Sequence, residues 1–206
     1  MGKREQEQWG LLIGHGAGIA LLSVVFLLGG IGGVLFSSVA GGDDAQQLSD
    51  YLIDYLTLAG EGIVFRPLWD LIWEQLKYLL AVSLLGLTAL GVVGVPVLFG
   101  VRGFFFSFSV GCFCRIFGWT GFIPALVLFG LPALLWGPAF FLAGFQGLSS
   151  SRCLFRRCLG DTRCPLPFST AYWLRLCFCV FLSFLCVGIE YFVVPSLLRA
   201  AAHIVL

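Results

Sequence analysis

Residues 78–119 read YLLAVSLLGLTALGVVGVPVLFGVRGFFFSFSVGCFCRIFGW, a run whose formal charges are Arg102 and Arg115 alone. A helix needs about 20 mostly apolar residues to cross the roughly 30 Å hydrocarbon core of a bilayer, so the run holds two crossings. Arg102 divides it. Tyr78–Gly100 predicts one span with its inner end at Arg102, and Gly103–Trp119 predicts a second, short span closed by the turn signal Gly118-Trp119-Thr120-Gly121. A rival drawing makes Gly103 to Phe129 a re-entrant hairpin. It would put Arg115 near mid-membrane at a cost of about 2.5–3.5 kcal/mol. A full crossing instead leaves Arg115 one turn below the outer surface, where its stem can snorkel.

The rest of the chain is equally apolar. Of its 206 residues 59% are hydrophobic and 11% charged. Counting glycine and leaving out tyrosine, about 69% are apolar, against about 45–50% for a soluble domain. Such a chain cannot hide its apolar surface from water by folding on itself. Twelve basic and eleven acidic residues give a net charge of +1, which offers no concentrated positive field for nucleic acid.

Three further spans follow from uncharged runs at Leu11–Val39, Phe122–Leu148 and Ala171–Leu198, the last interrupted by Arg175 at its inner mouth and Glu190 near its outer end. The first run is about twice the length of a signal-peptide core, and Glu5 and Glu7 dilute the basic flank, so it is expected to stay as an anchor. Between the spans, residues 40–76 form an acidic outer loop with Asp43, Asp44, Asp50, Asp54, Glu61, Asp70 and Glu74 against Arg66. Within it Leu48, Tyr51, Leu52, Tyr55 and Leu56 repeat at helical spacing, and Pro67 opens a second helical start. Both pieces are expected along the membrane surface. Residues 149–170 carry Arg152, Arg156, Arg157 and Arg163 against Asp161 and form a basic inner loop, cytoplasmic by the positive-inside rule. The expected fold is all-α: one integral membrane domain over 1–206 with about five transmembrane helices, a cytoplasmic amino terminus and an amphipathic helix on the outer surface.

Little in this pattern carries chemistry. Cys112, Cys114, Cys177, Cys179 and Cys186 fall in apolar spans, where thiols behave as small apolar groups. Cys153, Cys158 and Cys164 share the inner loop without a Cys-x-x-Cys pair or a neighbouring histidine, so no zinc site is expected there. Asp50 and Asp54 stand one helical turn apart, as an acid and base pair would, but a loop this short cannot enclose a water-shielded cleft. They read better as a solvated face. His15 and His203 lie at opposite ends of the chain. No catalytic constellation, metal or cofactor is expected. Gly14, Gly18, Gly29 and Gly33 form a small-residue stripe on the first span, suited to close packing of a neighbouring helix of this chain. In the fourth span Pro124, Pro132 and Pro138 each remove a backbone donor, and the last two free the carbonyls of Leu128 and Leu134. Kinks packed against neighbours would satisfy these groups; a transporter would use them to line a midplane site.

The run Arg102-Gly103-Phe104 through Gly111, then Gly118 and Gly121, then a helix with Pro132 and Pro138 ending in Ala143-Gly144-Phe145, resembles the stage II sporulation protein M family. The likeness extends loosely over almost the whole chain; the cysteine-rich inner loop is not part of it. It implies an integral engulfment protein of endospore formation, placed in the mother-cell septal membrane. There it would be a non-enzymatic scaffold in complex with stage II sporulation proteins D and P, which degrade septal peptidoglycan. The partner-binding surface expected on the outer loop is Asp50, Tyr51, Asp54 and Tyr55. A permease, or the membrane subunit of a transporter, is the alternative, motivated by the broken fourth span and the basic inner loop.

Overall fold

In the computed structural model the described residues are 3–39, 50, 53–54, 57–58, 67–119, 122–159 and 170–197, with the side chains of the first helix described from Gly16 onward. Helix α1 is Lys3–Val39, α2 is Leu68–Gly86 and α3 is Gly91–Phe117. The short helix α4, Phe122–Ala125, passes through a π-helical turn, Leu126–Gly130, into α5, Leu131–Cys158. Helix α6 is Thr170–Phe192, with a last helical turn over 194–197. There is no strand among the described residues.

Close contacts give the direction of each helix. Gly29 of α1 meets Gly100 of α3, Gly33 meets Phe104 and Gly111 meets Ser37, so α1 and α3 run parallel. Helix α5 runs against both: Gly18 meets Phe145, Gly144 meets Leu22, and the Phe26 and Phe141 rings lie 5.9 Å apart. Helix α2 runs with α5: Tyr78 and Trp136 both face the Arg102 guanidinium, while farther along both helices Gly86 packs on Gly147 and the Ser151 hydroxyl donates to the Leu85 carbonyl at 3.1 Å. Helix α6 runs against α5: Gln146 donates to the Tyr172 carbonyl at 2.8 Å at one end, and the Cys186 thiol lies 3.6 Å from the Pro132 carbonyl at the other. The bundle therefore has an arginine end, with Arg152, Arg156 and the 87–90 turn, and an acidic end, with Asp70, Trp119 and Glu190.

Four segments, Gly16–Val39, Gly91–Phe117, Leu126–Cys158 and Thr170–Leu197, are long and apolar enough to cross a membrane. Helix α2 takes the fifth place. Its 19 residues span about 28 Å, close to one hydrocarbon thickness, but Asp70, Glu74 and Lys77 make it less apolar than the others. The outside of the bundle is oily: Leu27, Leu84, Leu134 and Phe181 are each more than 60% exposed. Only lipid solvates such a surface without penalty. The chain is an all-α, multi-pass membrane protein.

The expected boundaries shift in the middle. Instead of spans at 78–100 and 103–119, the apolar run folds back at Leu87–Leu90, and α3 continues unbroken through Arg102 to Phe117. The N–H of Leu87 caps the Ser83 and Leu84 carbonyls, while the Thr88 N–H and hydroxyl both reach the Leu85 carbonyl at 3.0 Å. Thr88 thus shares the helix-end carbonyl of Leu85 with the Ser151 hydroxyl, and the local bonds close the end of α2. Gly91 restarts the chain because a Cβ there would strike the Leu85 carbonyl and the Ser151 hydroxyl. The re-entrant reading of 103–129 finds no hairpin here: α3 runs unbroken from Gly91 to Phe117, long and apolar enough to cross a membrane, and ends at Gly118, which takes φ +60°, a conformation glycine adopts without a Cβ penalty. Pro67 does not open a surface helix. It caps α2, which enters the bundle with Leu71 already buried. Arg115, near the acidic end, donates to the Ser37 carbonyl at 2.7 Å and ties the last turn of α1 to that of α3.

The proline expectation in the fourth span takes a specific form. Pro132 cannot donate to the Leu128 carbonyl, and the turn before it widens so that the Leu131 N–H reaches the Leu126 carbonyl. That is the i to i−5 bond of a π-turn. Pro138 sits inside α5 without ending it.

Candidate functional site

Arg102 is the twelfth residue of α3, about 16 Å along the axis from Gly91 and about 22 Å from Phe117. That places it mid-bundle rather than at an inner end. Its guanidinium lies 4.2 Å from the Tyr78 ring centroid and 4.5 Å from that of Trp136. Arg102 is half-buried, and cation–π contacts run from about 0.5–1 kcal/mol at exposed sites to about 2 kcal/mol when desolvated. Together the two contacts offset part of the roughly 2.5–3.5 kcal/mol that insertion scales assign to an arginine at mid-membrane.

Toward the acidic end Arg102 opens into a cavity of about 410 Å³. Glu74, Lys77 and Gln75 of α2, Ser109 of α3, Pro132 of α5 and Glu190 of α6 stand around it. Gln75 Nε2 donates to Glu190 Oε2 at 3.3 Å and lies 3.8 Å from Cys186 Sγ, which links α2 to α6. Lys77 Nζ sits 5.2 Å from the Tyr78 ring centroid. Among the described residues the wall thus holds two cations, Arg102 and Lys77, and two carboxylates, Glu74 and Glu190. These charges are mixed in sign and sum to zero, and Phe105, Phe106, Phe113, Leu128 and Phe129 make much of the remaining wall. Ionisable groups facing the interior of a membrane bundle mark functional sites by default, because hydrocarbon tolerates them poorly elsewhere.

Toward the arginine end the cavity is closed. Leu22, Val82, Val95 and Phe99 are fully buried there, and the Phe99 ring stacks on Phe140 at 4.2 Å. Gly86 lies against Gly147 just below. The cavity is a blind pocket above a close-packed apolar layer.

The residues singled out in the sequence lie in three places. Arg102 and Pro132 belong to the cavity. Gly18, Gly29 and Gly33 pack inside this chain, against Phe145, Gly100 and Phe104, while Gly103 meets the Phe26 carbonyl and Gly111 the Ser37 side chain. Phe104 lies among aromatic rings, 5.9 Å from Phe36 and 6.1 Å from Phe108. Gly14 lies in α1, but its surroundings, like Gly121, fall outside the described residues. Asp50 and Asp54 are helical and exposed, apart from the cavity; Tyr51 and Tyr55 fall outside the described residues. Among the described residues no group of three His, Cys, Asp or Glu side chains could hold a metal ion.

Glu74, Gln75, Lys77 and Glu190 were not expected at a common site. Glu74 and Gln75 read as part of the outer loop and Glu190 as a lone charge near the last outer boundary. The usable signal was the isolation of Arg102 in an otherwise uncharged stretch from Tyr78 to Cys114, since a charge kept so far from others needs partners from elsewhere in the fold. A scan against protein-family models finds no match, and neither do searches of curated proteins and of solved structures.

Proposed function

We propose that the protein is a non-enzymatic membrane scaffold that holds septal peptidoglycan hydrolases at the membrane during forespore engulfment. Its amino terminus and arginine end face the mother-cell cytoplasm and its acidic end faces outward. The partners on this reading are stage II sporulation proteins D and P. The sequence resemblance over Arg102–Gly111, Gly118, Pro132 and Pro138 supports the class. The observation that carries it is the exposed helical piece after α1. There Ile53 and Leu58 are 38% and 43% exposed beside the exposed Asp50 and Asp54, an apolar and acidic face apart from the bundle core. The blind floor of the cavity adds support, since a conducting protein needs a path or a mobile barrier where Phe99 and Phe140 are stacked.

The test is co-purification. Converting Asp50 and Asp54 to asparagine, and Ile53 and Leu58 to serine, is expected to reduce recovery of the two hydrolases at least fivefold from sporulating cells, with membrane insertion unchanged. Undiminished recovery would remove the outer surface from the interaction.

A permease is the second reading, favoured by one observation: the Arg102 cavity is a charged recess at mid-bundle. Solute uptake by proteoliposomes, abolished by R102Q, would select it over the scaffold.

A further inference from the structure

The Arg102 cavity does not end in protein on every side. Phe106 forms part of its wall and also part of an apolar groove of about 440 Å³ on the outside of the bundle, beside the π-turn. Leu126, Val127, Gly130 and Leu134 line that groove, with Leu126 and Leu134 56% and 77% exposed. The π-turn shapes both compartments: Leu128 and Phe129 face the cavity, while Leu126, Val127 and Gly130 face the groove. A polar recess and a hydrocarbon-facing furrow thus share a wall.

We propose that this pair of compartments binds one zwitterionic phospholipid, a phosphatidylethanolamine-type molecule. Its phosphate lies toward Arg102 and Lys77, its ammonium toward Glu74 and Glu190, and one acyl chain lies along the groove beside Leu126 and Leu134. The inference is independent of the scaffold reading, since it concerns the interior of the bundle and not its outer segment.

Charge selects the headgroup. The aromatic rings of Tyr78 and Trp136 offset the charge of Arg102, but they offer no oxygen acceptor to its five N–H donors. Phosphate oxygens match that fork in a bidentate manner. A purely anionic headgroup would meet Glu74 and Glu190 in the same recess, and like charges in a low-dielectric site repel strongly. A purely cationic ligand would meet Arg102 and Lys77. A neutral headgroup with separated charges complements both pairs and leaves the formally neutral cavity neutral. The cavity volume falls within the roughly 300–1,000 Å³ of small-molecule sites.

The groove selects the source. A soluble zwitterion such as O-phosphoethanolamine uses only the polar compartment. A lipid fills both, and each buried methylene adds about 0.8 kcal/mol. Phe106 lines both compartments, so a headgroup in the cavity and an acyl chain in the groove are one side chain apart, and a lipid that reaches both passes beside it.

The experiment reconstitutes the full chain in nanodiscs of equal phosphatidylethanolamine and phosphatidylglycerol, extracts it into mild detergent and counts retained lipid by native mass spectrometry. The expected result is one retained lipid per chain, with phosphatidylethanolamine favoured at least fivefold. R102Q is expected to cut retention tenfold or more, and L134W, which crowds the groove from an exposed position, at least threefold. Should R102Q fail to fold, the double variant E74Q/E190Q decides, because it leaves the cations and is expected to turn the preference toward phosphatidylglycerol. Four results would overturn the proposal: no retained lipid on the wild-type chain, equal retention of the two lipids, retention unaffected by these variants, or displacement of the bound lipid by an equal concentration of O-phosphoethanolamine.

Discussion

Replacing Gly103 with leucine is expected to lower the stability of the folded bundle by about 3 kcal/mol, the upper part of the range for overpacked cores. A Cβ at this position would land on the Phe26 carbonyl. Backbone cannot rotate away as a side-chain tip can, so α1 and α3 must separate. The same interface has no slack to absorb the change, because Gly29 sits on the Gly100 carbonyl and Gly33 on the Phe104 carbonyl. Without a hydrophobic driving force inside lipid, such close backbone approach supplies much of the attraction between helices. Gly137 and Gly188 are the controls: nothing lies within 4 Å of a Cβ at either. Alanine there is expected to be neutral or to stabilise by up to about 1 kcal/mol through helix propensity. Unfolding of the purified protein by SDS titration measures all three. Equal effects at Gly103 and Gly188 would show that the α1–α3 packing is not limiting.

Charge reversal at Arg102 is the second large effect. R102E places a third carboxylate beside Glu74 and Glu190 and removes the cation that faces Tyr78 and Trp136. An uncompensated buried charge costs about 3–5 kcal/mol, and that is the expected loss. Methionine is the informative contrast. R102M forfeits two cation–π contacts, about 1–4 kcal/mol together, but is also spared the roughly 2.5–3.5 kcal/mol of burying the charge. R102M also leaves Glu74 and Glu190, among the described residues of the wall, facing Lys77 alone, so it is expected to lose about 1–3 kcal/mol, less than R102E, which adds a third carboxylate. The double variant R102E/E190R restores one charge of each sign to the recess and is expected to recover part of the R102E loss. If R102M and R102E were equally stable, Arg102 would lie in a wet environment and not in the bundle interior.

The outline of the fold was legible because composition alone requires a lipid solvent, and because spans of 20 or more apolar residues leave few ways to thread the chain. Helix α1 and the alternation of acidic and basic loops follow from that. The α2–α3 boundary was not legible. The run from Tyr78 to Trp119 contains Gly86, Gly91, Gly94, Gly100 and Gly103, and hydropathy gives no reason to prefer one as the turn. Charge placed the turn at Arg102. Packing places it at Leu87–Leu90, where Gly91 fits against Ser151 of α5, a contact between segments 60 residues apart in sequence. Pro132 announced a disturbed helix, but the π-turn needed the whole backbone to be seen. The cavity was the least legible feature, since Gln75 and Glu190 are separated by 115 positions and join only when α2 enters the bundle.

That entry of α2 underlies the rest, because it sets the depth of Arg102 and assembles the cavity. Thiol accessibility in a cysteine-free background tests it most directly, with single cysteines at Thr57, Thr88, Trp119 and Leu159 and a membrane-impermeant maleimide applied to right-side-out and inverted vesicles. Thr88 and Leu159 are expected to label from one face, and Thr57 and Trp119 from the other. Labelling of position 88 from the same face as position 57 would contradict the crossing of α2 and, with it, the mid-bundle placement of Arg102.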